Sequence, residues 1–77
     1  MKLPIIVNEH GSCDVFATVE EAEAYMEPID VENGEYTVTD ANGQNLIVYV
    51  IIKEVPLLWG LFKTRVKKTR IIDPAEL

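Results

Sequence analysis

No apolar run in this 77-residue chain approaches the ~18 residues of a membrane helix. The opening Met1-Lys2-Leu3-Pro4 has no signal-peptide pattern, so a cytoplasmic protein is expected, with no membrane as partner. Cysteine is nearly absent too. The single Cys13 excludes an internal disulfide and suits a reducing compartment. A phosphate-binding loop, a glycine-rich dinucleotide fingerprint and a Ser-His-Asp set are all missing. One histidine, His10, beside Cys13 and Asp14 is too little for zinc, which takes three or four ligands. A Cys-His nucleophile would need both groups within hydrogen-bond reach, and the plainer reading is a buried Cys13 beside an exposed loop histidine. No catalytic residue, metal or cofactor is expected, and the chain reads as a non-enzyme.

The scarcest feature is positive charge in the first half. Ten of the thirteen acidic residues lie between Glu9 and Asp40, a span without Lys or Arg. Five of the seven basic residues (Lys63, Arg65, Lys67, Lys68 and Arg70) fall within eight positions near the other end. The formal net charge of −6 disfavours a general nucleic-acid or membrane binder.

What is present is an α+β pattern in one domain, residues 1–77. Leu46-Ile-Val-Tyr-Val-Ile-Ile52 is a seven-residue apolar run rich in β-branched residues, which predicts a strand buried on both faces. Residues 4–7 predict a first strand and 13–17 a second. A three-residue loop Glu9-His10-Gly11 would align Ile5, Val7, Cys13 and Val15 on one face. Thr18 and Glu21 form a capping-box pattern, and Val19, Ala22 and Met26 recur at helical spacing, so a short helix is expected over 19–27. Pro28 ends it, and 29–34 reads as a connector. Residues 35–39 predict a third strand whose turn through Gly43 pairs Val38 with Leu46 and Tyr36 with Val48. The other face, with Thr37, Thr39, Ile47, Tyr49 and Ile51, is half apolar and needs a cover. Leu57-Leu58-Trp59-Gly60-Leu61-Phe62 folding back would supply one. Residues 63–72 read as a last strand, antiparallel to 46–55, in preference to a basic amphipathic helix, because threonine and β-branched residues recur. Asp73-Pro74-Ala75-Glu76 has the form of a helix start, either a turn or the beginning of a helix that is not there. The expected fold is a four- to five-stranded, mainly antiparallel sheet in the order β-β-α-β-β-β, with the helix on one face.

The segment Thr18-Val19-Glu20-Glu21-Ala22-Glu23-Ala24-Tyr25-Met26-Glu27-Pro28-Ile29-Asp30-Val31-Glu32-Asn33-Gly34-Glu35-Tyr36, followed by Asp40-Ala41-Asn42-Gly43, resembles small bacterial proteins of the size and composition of toxin-immunity proteins. The likeness covers about the middle third, is structural in kind and brings no catalytic residues. It implies a protein-binding role in which an acidic surface (Glu20, Glu23, Glu27, Asp30 and Glu32) meets a basic protein partner. Two other readings compete with it. In one, Trp59, Lys63, Arg65 and Lys67 track the phosphates of a nucleic acid. In the other, residues 57–62 join two copies into a homodimer.

Overall fold

Ile5–Glu9 (β1) and Ser12–Phe16 (β2) form a hairpin whose pairs run from Ile5–Phe16 to Glu9–Ser12. The structure, a computed structural model, describes residues 1–77. The connection is the two residues His10 and Gly11, with φ of 50° and 86°, and not the expected three-residue loop. Paired left-handed residues match the twist of a hairpin, and histidine tolerates that region better than most side chains. The shorter loop sets Phe16 and Asp14 beside Ile5 and Val7, and turns Cys13 and Val15 to the outer face, where both are exposed.

Val19–Tyr25 (α1) starts where the capping pattern places it, with the Glu21 N–H donating to Thr18 Oγ1 at 3.1 Å. It ends two residues before the expected stop. Met26 is already extended (ψ 120°), which buries its side chain and frees its carbonyl. Pro28 then opens a second short helix, Pro28–Glu32 (α2), where a connector was expected. The same proline that closes one helix suits the first position of the next, because the N–H it lacks has no partner there.

Tyr36–Thr39 (β3) pairs with β1, and with Asn45–Leu57 (β4) through Val38–Leu46 and Thr39–Asn45 only. The Val38–Leu46 register is the expected one; the Tyr36–Val48 pair does not form. β4 instead runs for eleven pairs against Phe62–Ile72 (β5), from Ile47–Ile72 to Leu57–Phe62. The sheet is antiparallel throughout, in the order β2-β1-β3-β4-β5. It curls so that α1 touches β5 at one edge and β2 at the other. Residues 46–52 are not buried on both faces as expected: only Leu46 is buried, and Ile47, Tyr49 and Ile52 are exposed. Nothing in the chain buries the outer face, because residues 57–62 extend the hairpin and do not fold back over it. No helix is long and apolar enough to cross a membrane.

The core is seven side chains: Ile5, Val7, Ala22, Met26, Val38, Leu46 and Ile71, flanked by Phe16, Val19, Val31, Tyr36 and Val48. Two hydrogen bonds fasten the helical segment to β5. Thr69 Oγ1 donates to the Met26 carbonyl at 2.8 Å, and the Ile71 N–H donates to Glu23 Oε2 at 2.7 Å. A buried carboxylate, Asp40, ties the β3–β4 turn together by accepting from the N–H groups of Lys2, Asn42 and Gln44 at 3.1, 2.9 and 3.0 Å. Gln44 passes the connection on to Asp73, which also accepts from the Ala75 N–H and pairs with the Met1 ammonium at 2.7 Å. The segment after β5 is thus one 3-10 turn, Pro74–Glu76, capped by Asp73.

Burial pushes the Asp40 carboxyl up, but the N–H groups of Gln44, Lys2 and Asn42 outweigh it and hold the group below the usual carboxylate range. Its contribution to stability is complete above its unfolded value of ~4 and is lost as pH falls through the lower folded value. The urea midpoint is therefore expected to drop below about pH 4, and to drop less in Asp40→Asn. Equal slopes in the two proteins would contradict the clamp. With so small a core, Met26→Ala should cost about 2–5 kcal/mol, as much as a domain of this size usually has, and urea titration should find it largely unfolded.

Candidate protein-binding surfaces

The acidic surface is built on α1, α2 and the residue between them. Glu20 and Glu21 stand in the first turn of α1, where the helix dipole favours carboxylates, and both are exposed. Glu27, next to Pro28, is exposed as well. None of these three has a cation within 4.0 Å.

The other expected members are engaged elsewhere. Glu23 is half-buried against the edge of β5, where it accepts the Ile71 N–H. Glu32 is paired with Lys67 at 2.8 Å. Asp30 belongs to a second group of carboxylates, which sequence spacing does not foreshadow. Glu9 from the end of β1, Asp30 from α2 and Glu35 before β3 bring an oxygen each within 4.8 Å of one another. A hydrogen bond with Asp30, with burial behind it, raises the Glu35 carboxyl above its ordinary range, and His10 at 3.9 Å acts the other way. The Tyr36 hydroxyl donates to Asp30 Oδ2 at 3.4 Å, and burial is the main reason its phenol is pushed up to about 12. Glu21 is an exposed carboxylate that the sequence argument left out, because it lies off the helical face expected for Glu20, Glu23 and Glu27.

The second surface is the distal part of the β4–β5 hairpin. Leu57, Leu58, Trp59, Leu61 and Phe62 are all exposed at its tip, Trp59 fully so. Lys63, Arg65 and Lys67 do share one face of β5, as strand alternation requires. Their neighbours across the pair are Pro56, Glu54 and Ile52, so a carboxylate sits opposite Arg65, and Lys67 already holds Glu32. Between α1 and β5 lies a depression of about 340 Å³, open to solvent and lined by Glu23, Met26, Pro28, Lys67, Thr69 and Arg70 among others.

The bond from Ile71 to Glu23 separates the acidic residues by role. Glu23→Lys should cost roughly 1–3 kcal/mol by leaving a backbone N–H unpaired and setting a cation beside β5. Glu20→Lys and Glu27→Lys should each stay within about 0.5 kcal/mol of the parent. Equal urea midpoints for all three variants would contradict this division.

Neither a family model, nor a curated protein, nor a solved structure matches the chain.

Proposed function

We propose that the chain is a non-enzymatic protein-binding module that docks a basic protein partner on its acidic side, as an immunity-type inhibitor does. One observation carries this reading: Glu20, Glu21 and Glu27 are exposed together around α1 without a cation to neutralise them. Exposed carboxylates outside ion pairs raise the local concentration of a cationic partner and speed encounter more than they set affinity. The resemblance of residues 18–36 to immunity-type proteins agrees with it. A cytoplasmic setting suits the unpaired, exposed Cys13. The basic strand is the weaker candidate for a nucleic-acid site, since Lys67 is paired with Glu32 and Glu54 faces Arg65.

The test begins with capture of partners from host lysate at low and moderate salt, identified by mass spectrometry with and without nuclease. The expected product is one basic protein, retained in the presence of nuclease. Glu20→Lys with Glu27→Lys should then slow its association about tenfold at low salt while leaving the circular dichroism unchanged. An unchanged on-rate, or a retained signal that nuclease removes, would refute the proposal.

A further inference from the structure

Along an antiparallel strand, successive residues turn their N–H and C=O groups alternately toward the partner strand and away from it. The 2.7 Å bond from the Ile71 N–H to Glu23 Oε2 fixes that alternation in β5. Ile71 turns away from β4, so Thr69, Lys67, Arg65 and Lys63 turn away as well. The partner strand gives the same phase. Lys63 lies opposite Pro56, and a proline fits a ladder where its nitrogen, which has no hydrogen to give, points away from the neighbour. β5 is an edge strand, so these groups face no further strand. At Ile71 and Thr69 the edge is covered by Glu23 and Met26. Toward the tip it is bare: outside the strand ladders no hydrogen bond uses the backbone of residues 63–68.

Lys63, Arg65 and Lys67 thus hold out three N–H and three C=O groups in the repeat of a β-ladder, the arrangement that takes up an extended peptide. The free edge of β4 along the same hairpin is blunted, because the same alternation turns Pro56 outward there. The edge of β5 calls for donors as well as acceptors. Phosphates of a nucleic acid or a lipid surface supply acceptors only, whereas a peptide backbone supplies both. Charge narrows the choice further. From Phe62 to Lys68 the strand carries four cations and no carboxylate, and Lys63, Arg65 and Lys68 are outside any ion pair. Lys63 and Arg65 lie on one face and Lys68 on the other, so an added strand meets a cation on either side. Glu54 stands on β4, one strand farther from the edge. The chain's own Glu23 shows the chemistry this edge takes, a carboxylate on an outward N–H. A second β5 would set the cations against their like, which destabilises a cross-strand pair.

We propose that the outer edge of β5 from Lys63 to Lys67 takes up an extended acidic peptide segment of a protein partner as a further strand. Its backbone bonds to Lys63, Arg65 and Lys67, and its carboxylates lie beside Lys63, Arg65 and Lys68. This surface is separate from Glu20, Glu21 and Glu27 and does not depend on what they bind. The cations that keep identical edges apart are the same ones that select an acidic strand.

Amide hydrogen exchange of the full chain, read residue by residue by NMR, tests this with short blocked peptides of alternating Glu and Val. In the free chain the N–H groups of Lys63, Arg65 and Lys67 should exchange about tenfold faster than those of Thr64 and Val66. The Glu-Val peptide should slow those three about tenfold and leave Thr64 and Val66 unchanged. A Lys-Val peptide should have no effect. Nor should a Glu-Val peptide methylated at every backbone nitrogen, which keeps the charge and cannot complete a ladder. Arg65→Glu should weaken binding of the Glu-Val peptide about fivefold with the circular dichroism unchanged. Absence of protection by the Glu-Val peptide would overturn the proposal, as would equal protection by the Lys-Val or the methylated peptide. Protection that grows with protein concentration in the absence of peptide would assign the edge to a second copy. Protection by single-stranded nucleic acid and not by the peptide would assign it to a polyanion, and either result refutes the peptide site.

Discussion

β4 is paired with β3 over two residues and with β5 over eleven, and the rest of the architecture follows from that imbalance. Two pairs suffice to bring Val38 and Leu46 into one core, but they hold only the first residues of a thirteen-residue strand to the body. The remainder has a single neighbouring strand, β5, so it can continue as a two-stranded arm once the core is left behind. A two-stranded hairpin is marginal alone in water. Here its root is fixed by α1 and α2, through Thr69 to the Met26 carbonyl, Ile71 to Glu23, and Lys67 to Glu32.

These anchors explain why the acidic residues do not act as one set. Glu23 satisfies an N–H that the edge strand β5 leaves unpaired, Glu32 pairs with the Lys67 side chain, and Asp40 at the β3–β4 turn is consumed by backbone N–H groups. On the helical segment, Glu20, Glu21 and Glu27 remain outside any ion pair. The chain therefore divides by role. A hydrogen-bonded body, in which the cations of β5 face the acidic helical segment, holds the core, and the hairpin tip presents exposed apolar side chains.

Much of the fold was readable from local chemistry. Thr18 marks the start of α1, Gly43 closes the β3–β4 turn at φ 79°, and the Val38–Leu46 register follows from matching apolar faces. The threonines and β-branched residues of 63–72 distinguish a strand from a helix correctly. The misreadings share a cause. Pro28 is both a terminator and a first-turn residue, and only the packing of Val31 against the core makes α2 worth forming. The apolar run 46–52 looks like a central strand because β-branched residues suit buried and exposed strands alike, and pattern does not say how many neighbours a strand has. His10 and Gly11 fit a two-residue turn as well as a three-residue one, and the choice decides where Cys13 points. Within the candidate site, exposure at Glu20 follows from helical spacing, whereas Glu27 lies beyond the end of α1. The diversion of Glu23 to Ile71, a contact between residues 48 positions apart, does not.

The central claim is that the arm stands free and leaves its tip uncovered in the isolated chain. Acrylamide quenching of Trp59 in dilute protein tests this most directly, because the tryptophan reports from the tip itself. The account predicts a quenching constant close to that of a free indole side chain, unchanged across protein concentration. A strongly shielded Trp59 in the monomer would mean that residues 57–62 fold back onto the outer sheet face, and the division into body and arm would be wrong.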